Sequence, residues 1–155
     1  MEYRTPVFSS SPEMREMINA ITIGVTIGDI RTKLEYCPEL VHYMDFRNET
    51  LLMIAADSRR YDVAMFLVMM GSNIEWRGNK GTVIFRLVTH EPTFDNSQLC
   101  DMVVKRSPYP GVIEEPSAMY NCTLLKMCDK YDRGDVKGYL IDRMRTIRSN
   151  RQKHH

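Results

Sequence analysis

Lys80 stands between Gly78-Asn79 and Gly81-Thr82, and glycines around a lysine just before a threonine can cradle a phosphate. A phosphate loop needs its lysine after the second glycine, and a parallel-sheet strand before the first. Here Lys80 precedes Gly81, and no such strand pattern leads into Gly78. These residues therefore read as a turn. His42 and His90 have no neighbouring serine and carboxylate in a relay pattern, and the acidic residues are spread out rather than paired. The cysteines Cys37, Cys100, Cys122 and Cys128 form no C-x-x-C pair and lie apart from both histidines. The expectation is a protein that is not an enzyme, with no catalytic residues, no cofactor and no metal. Asn48 and Asn121 each open an N-x-T sequon, which matters only in a secreted chain.

The chain has 155 residues, enough for one domain with a core. Apolar residues make up 43% and charged residues 26%, ordinary globular values. A net charge of +1 gives no overall pull toward nucleic acid or membrane. No stretch approaches the roughly 18 consecutive apolar residues of a membrane span. Met1 to Glu16 lacks the apolar centre of a signal peptide. A cytoplasmic or nuclear location is expected, with reduced and mostly packed thiols, Cys128 the most buried.

The chain repeats itself. Asn48-Glu49-Thr50-Leu51-Leu52 returns as Asn121-Cys122-Thr123-Leu124-Leu125, 73 positions later. Asp62-Val63 and Leu67 return at the same offset as Asp135-Val136 and Leu140. A fixed offset signals stacked copies of one supersecondary unit. In the best-formed copy, Thr50 is placed to cap a helix with the apolar face Leu51, Leu52, Ala55 and Ala56. After a polar break, Val63, Phe66, Leu67 and Met70 give a second helical face, and Gly71 is its natural stop. A turn-rich finger follows, from Gly71 to Thr82. The spacing predicts helices near 12–23, 29–37, 50–57, 60–70, 82–89, 95–105, 123–130 and 134–148. About nine extra residues fall within the Pro-rich loop at 106–120.

These residues resemble the ankyrin repeat. Its helix opening, Gly-x-Thr-Pro-Leu-His-x-Ala-Ala, is matched by Asn48 to Ala56, and its finger, Gly-Ala-Asp-Val-Asn, by Gly71 to Glu75. The family's period is about 33 residues. The family's proline is replaced by Leu51, Val83 or Leu124, its histidine by Met53, Phe85 or Lys126, and its usual finger aspartate by Gly78. The resemblance implies an all-α, ankyrin-like helical solenoid. Its repeats would cover about 13–44, 45–78, 79–118 and 119–148 within a domain at 11–148. A flexible segment at 1–10 would precede it and a basic tail at 149–155 would follow.

An ankyrin-like array implies a non-enzymatic module that sequesters or scaffolds a protein partner through its fingers and concave helix face, as a monomer or in a heteromeric complex. Trp76, Arg77, Asn79 and Lys80 fall on the finger, with Glu49 in the preceding turn. Ile54, Arg86 and Met127 occupy one repeat position, which the resemblance puts on the concave side. An alternative role in nucleic-acid association would use the C-terminal cations Arg143, Arg145, Arg148 and Arg151, which follow the last acidic residue, Asp142.

Overall fold

The structure is a computed structural model that describes residues 3–107 and 122–153. Most of the insertion expected at 106–120 lies outside the described residues. Among those described, none of the helices is long and apolar enough to cross a membrane. The chain divides into two compact units, Met1–Arg86 and Leu87–His155.

In the first unit, α1 (Pro12–Ile23) and α2 (Ile27–Tyr36) form one antiparallel pair, and α3 (Leu51–Asp57) and α4 (Tyr61–Met69) form the next. First helix packs on first, α1 on α3, and second on second, α2 on α4. The starts are set by hydroxyl caps: Ser11, Thr26 and Thr50 each accept the backbone N–H three residues on. α2 stops at Cys37, before Pro38, and α1 and α4 stop at left-handed glycines. Gly24 and Gly71 both take φ of 94°. Met14, Met17, Ile21, Ile30, Leu34, Leu51, Leu52 and Leu67 are buried among these helices.

Arg4 and the segment Val7–Ser9 are tied down by contacts, where a flexible segment is expected at 1–10. Val7–Phe8 (β1) pairs in parallel with Tyr43–Met44 (β2), and Ser9 N–H donates to Met44 O. Arg4 pairs with Glu39 at 3.1 Å, and its carbonyl accepts from Asn73. No alternating pattern announces a strand of two residues, so periodicity could not show it.

A short helix, α5 (Val83–Val88), spans the division between units. The second unit holds α6 (Phe94–Arg106), α7 (Leu124–Lys130) and α8 (Gly134–Lys153), with α8 packed on both α6 and α7. Thr93 and Thr123 cap α6 and α7. The basic residues from 149 continue α8 as helix through Lys153 instead of forming a separate tail. Cys100 is as buried as Cys128, contrary to expectation, and burial pushes their thiols up to about 12 and about 11.

One device recurs across the two units. Arg59 and Asp132, 73 positions apart, are both left-handed, with φ of 58° and 55°. Each delivers an arginine to the start of a second helix. Arg60 donates to Ile21 O at 3.2 Å and Val25 O at 2.6 Å, at the open end of α1. Arg133 donates to Leu87 O at 2.9 Å and His90 O at 3.2 Å, at the open end of α5. A helix leaves its last carbonyls without partners, and here a guanidinium takes them. An aspartate two residues on balances each arginine: Asp62 at 3.6 Å and Asp135 at 3.0 Å. Arg133 is fully buried and also donates to Asn96 Oδ1 at 2.6 Å.

Removing a fully buried, fully bonded cation strands its partners. Arg133→Met is expected to cost about 3–5 kcal/mol in urea unfolding. Arg60→Met, at the more open site, should cost about 1–2 kcal/mol. Equal losses would show that burial does not set the difference.

Burial alone would raise the Asp135 pKa. Hydrogen bonds from Arg133 and Ser97 and the Arg133 charge outweigh it and bring the group to about 2. Because this lies below the unfolded value of 3.8, the stabilisation is present above pH 4 and is lost as pH falls from about 4 toward 2. The stability gap between the parent and Asp135→Asn should shrink by on the order of 2 kcal/mol over that window, read by denaturant titration at stepped pH.

Candidate functional site

Two fingers of the first unit and the helices behind them bring charged, amide and aromatic side chains side by side. The first finger, Asp45 to Glu49, is held by its own carboxylate. Asp45 Oδ1 accepts the N–H groups of Arg47 and Glu49, at 2.9 and 3.0 Å. Asn48 takes φ of 62°, which its short amide side chain tolerates. The second finger closes through Gly78 O, which accepts Gly81 N–H at 3.1 Å. Gly81, at φ of 83°, is the residue that lets it turn. The fingers are bolted together: Trp76 Nε1 donates to Asn48 O and Asn79 Nδ2 to Arg47 O, both at 3.0 Å.

Arg86 lies beneath them. Its guanidinium is buried, donates to Asp57 Oδ2 at 3.0 Å and approaches Glu49 Oε2 at 2.8 Å. The Glu49 contact is an ion pair whose angle falls outside hydrogen-bond geometry, since that oxygen accepts no hydrogen bond. Arg86 also donates to Gly81 O through Nε and Nη2. The missing side chain of Gly78 makes the room. A β-carbon there would stand 2.7 Å from Arg86 Nη2 and 3.0 Å from both Glu49 Oε2 and Met53 Sδ. That explains why a glycine stands at this position.

Two hollows line this face and share Thr22 and Arg47. The first, about 310 Å³, is mostly apolar and is bounded by Phe8, Met14, Arg15, Ile18 and Phe46. The second, about 260 Å³, has a mixed lining and is bounded by Glu49, Ile54, Asp57, Asn79 and Lys80. Phe46 is 81% exposed and Phe8 54%, an unusual cost for aromatic surface. Together the hollows make one groove along α1, α3 and both fingers, apolar at one end and charged at the other.

Of the expected contact residues, Glu49, Ile54, Asn79 and Lys80 come together along this groove. Ile54 contributes only an edge, being 7% exposed. The other expectations need correction. Trp76 is half-buried, its indole N–H committed to the neighbouring finger, and it lines neither hollow; nor does the exposed Arg77. Arg86 is a buried strut rather than a presented cation, because two carboxylates and a carbonyl converge on it. Met127 is buried in the second unit, under α8. On α8, Arg145, Arg148 and Arg151 are exposed, whereas Arg143 is partly drawn in by donating to Ser107 O.

Phe8, Arg15, Phe46 and Asp57 escaped the sequence reading. Phe46-Arg47 did carry a signal: it stands one 33-residue period upstream of Asn79-Lys80. Phe8 carried none, since it lies upstream of the part of the sequence that recurs.

The chain matches no protein-family model, and neither the curated proteins nor the solved structures give a significant match.

Gly78→Ala is expected to lose about 1–3 kcal/mol of stability in denaturant titration, because the new methyl meets the Arg86 ion pair. Gly28→Ala, at a helical site with open space, should lose nothing; an equal loss at both would refute the crowding account.

Proposed function

We propose that this chain is a non-enzymatic protein-binding module built as a divergent ankyrin-like solenoid, using its fingers and first helices to hold a segment of a protein partner. The observation that carries the reading is the groove itself, which joins an exposed aromatic end to a charged end beside two hydrogen-bonded fingers. Binding surfaces concentrate such rigid aromatics beside fixed charges. The stacking of α1 on α3 and α2 on α4 supports the array, as do the paired fingers and the shared Thr50 and Thr123 caps. The Arg60 and Arg133 bonds each tie the start of a second helix to the open end of an earlier helix, and would join successive repeats.

A second reading draws on α8. Arg145, Arg148 and Arg151 are exposed on a helix with no acidic residue beyond Asp142, a composition that suits nucleic-acid phosphates. It predicts affinity that falls steeply with salt, which the groove reading does not require to the same degree.

The test is affinity capture with identified partners, followed by purified binding. Phe46→Ser should weaken a directly bound protein at least about tenfold while leaving the thermal midpoint unchanged. Phe94→Ser, equally exposed but on α6, should have no effect. Equal weakening by both, or by neither, would remove the groove from the account.

A further inference from the structure

The charges of the groove are sorted by depth, and that sorting points to its occupant. Three carboxylates belong to the groove, and all three are already engaged from within. Asp45 is held by its own finger's N–H groups, and Glu49 and Asp57 by Arg86. Their side chains are 8%, 9% and 31% exposed. The cations are arranged the other way. Arg47 and Lys80 pair with Asp45 and Asp57, at 3.4 and 3.8 Å, yet their side chains stay 59% and 58% exposed, and Arg15 is exposed too. An approaching partner therefore meets positive charge first, although the whole chain is nearly neutral. Between these cations lies the apolar hollow of Phe8, Met14, Ile18 and Phe46. At its side Asn19 carries an amide able to give and take hydrogen bonds.

We propose that the groove binds an acidic segment of a protein partner, with an aromatic or aliphatic side chain seated in the apolar hollow and flanking carboxylates on Arg15, Arg47 and Lys80. This rests on the groove reading above and adds the chemistry of the ligand. Single-stranded nucleic acid would also value cations beside aromatics. The peptide fits better because the half-buried Ile18 gives an aliphatic wall to a side chain and the exposed Asn19 offers its amide to a peptide backbone. Charge across such a surface would set encounter rate and selectivity, with the apolar contact setting residence time.

The full-length chain would be panned against a random-peptide display library. Enriched peptides would then be synthesised and titrated by fluorescence anisotropy at low and at physiological salt. The expected peptides carry Asp or Glu on either side of Phe, Leu or Ile. Changing those acids to amides should weaken binding about tenfold, as should Arg15→Glu or Lys80→Glu, with circular dichroism unchanged. Peptides without acidic residues that are still lost on Phe46→Ser would overturn the charge assignment and leave the groove standing. No enrichment, or peptides indifferent to both Phe46→Ser and Arg15→Glu, would overturn both. Tighter binding of a poly-dT oligonucleotide than of any enriched peptide, abolished by Phe46→Ser, would overturn the peptide in favour of nucleic acid.

Discussion

Short helices stacked side by side end often, and every end leaves carbonyls that need a donor. In this chain that need is met at two equivalent points by a guanidinium arriving from the next helix pair. Arg60 closes α1 and Arg133 closes α5, each delivered by a left-handed residue and neutralised by an aspartate two positions on. A water molecule could satisfy the same carbonyls without fixing anything. An arginine satisfies them and also sets the spacing and rotation of the two elements it bridges. The shared device explains why Asp62 and Asp135 repeat with the threonine caps, although neither contributes to a core.

The finger face applies the same economy to a different end. Arg86 gathers Glu49, Asp57 and the Gly81 carbonyl under a turn whose first residue, Gly78, has no side chain to exclude it. The acids of this face are thereby turned inward, and its remaining lysine and arginines stay in water. A nearly neutral protein can carry a locally positive surface in this way, by burying one sign of charge rather than by accumulating the other. Buried pairs of this kind contribute modestly to net stability, but the loss of either member is severe. The arrangement therefore fixes geometry more than it adds stability.

Much of the fold was legible in the sequence because helices announce themselves by period and by cap. Thr50 and Thr123 cap as their positions predict, and the helix spans fall within a few residues of the spacing. The groove was only half legible. Glu49, Ile54, Asn79 and Lys80 were placed by the repeat, yet Arg86 and Met127 at the same repeat position are buried. Position gives the direction of a side chain but not what awaits it, and the carboxylates that draw Arg86 inward lie 29 and 37 residues away in sequence. Thr82 teaches the same lesson. It stands where a capping hydroxyl belongs, but its Oγ1 is buried without a hydrogen-bond partner. Phe8 had no period to obey and could be found only once β1 was seen against β2.

The second unit keeps two sulfurs in its interior. Cys100 and Cys128 remain thiols far above neutral pH, so in the closed state they present neither thiolate nor access to an oxidant or alkylating reagent. Their modification must wait until α6, α7 and α8 part. The chain thus carries a native stopwatch: the rate at which reagent reaches these atoms measures how often that half of the molecule breathes.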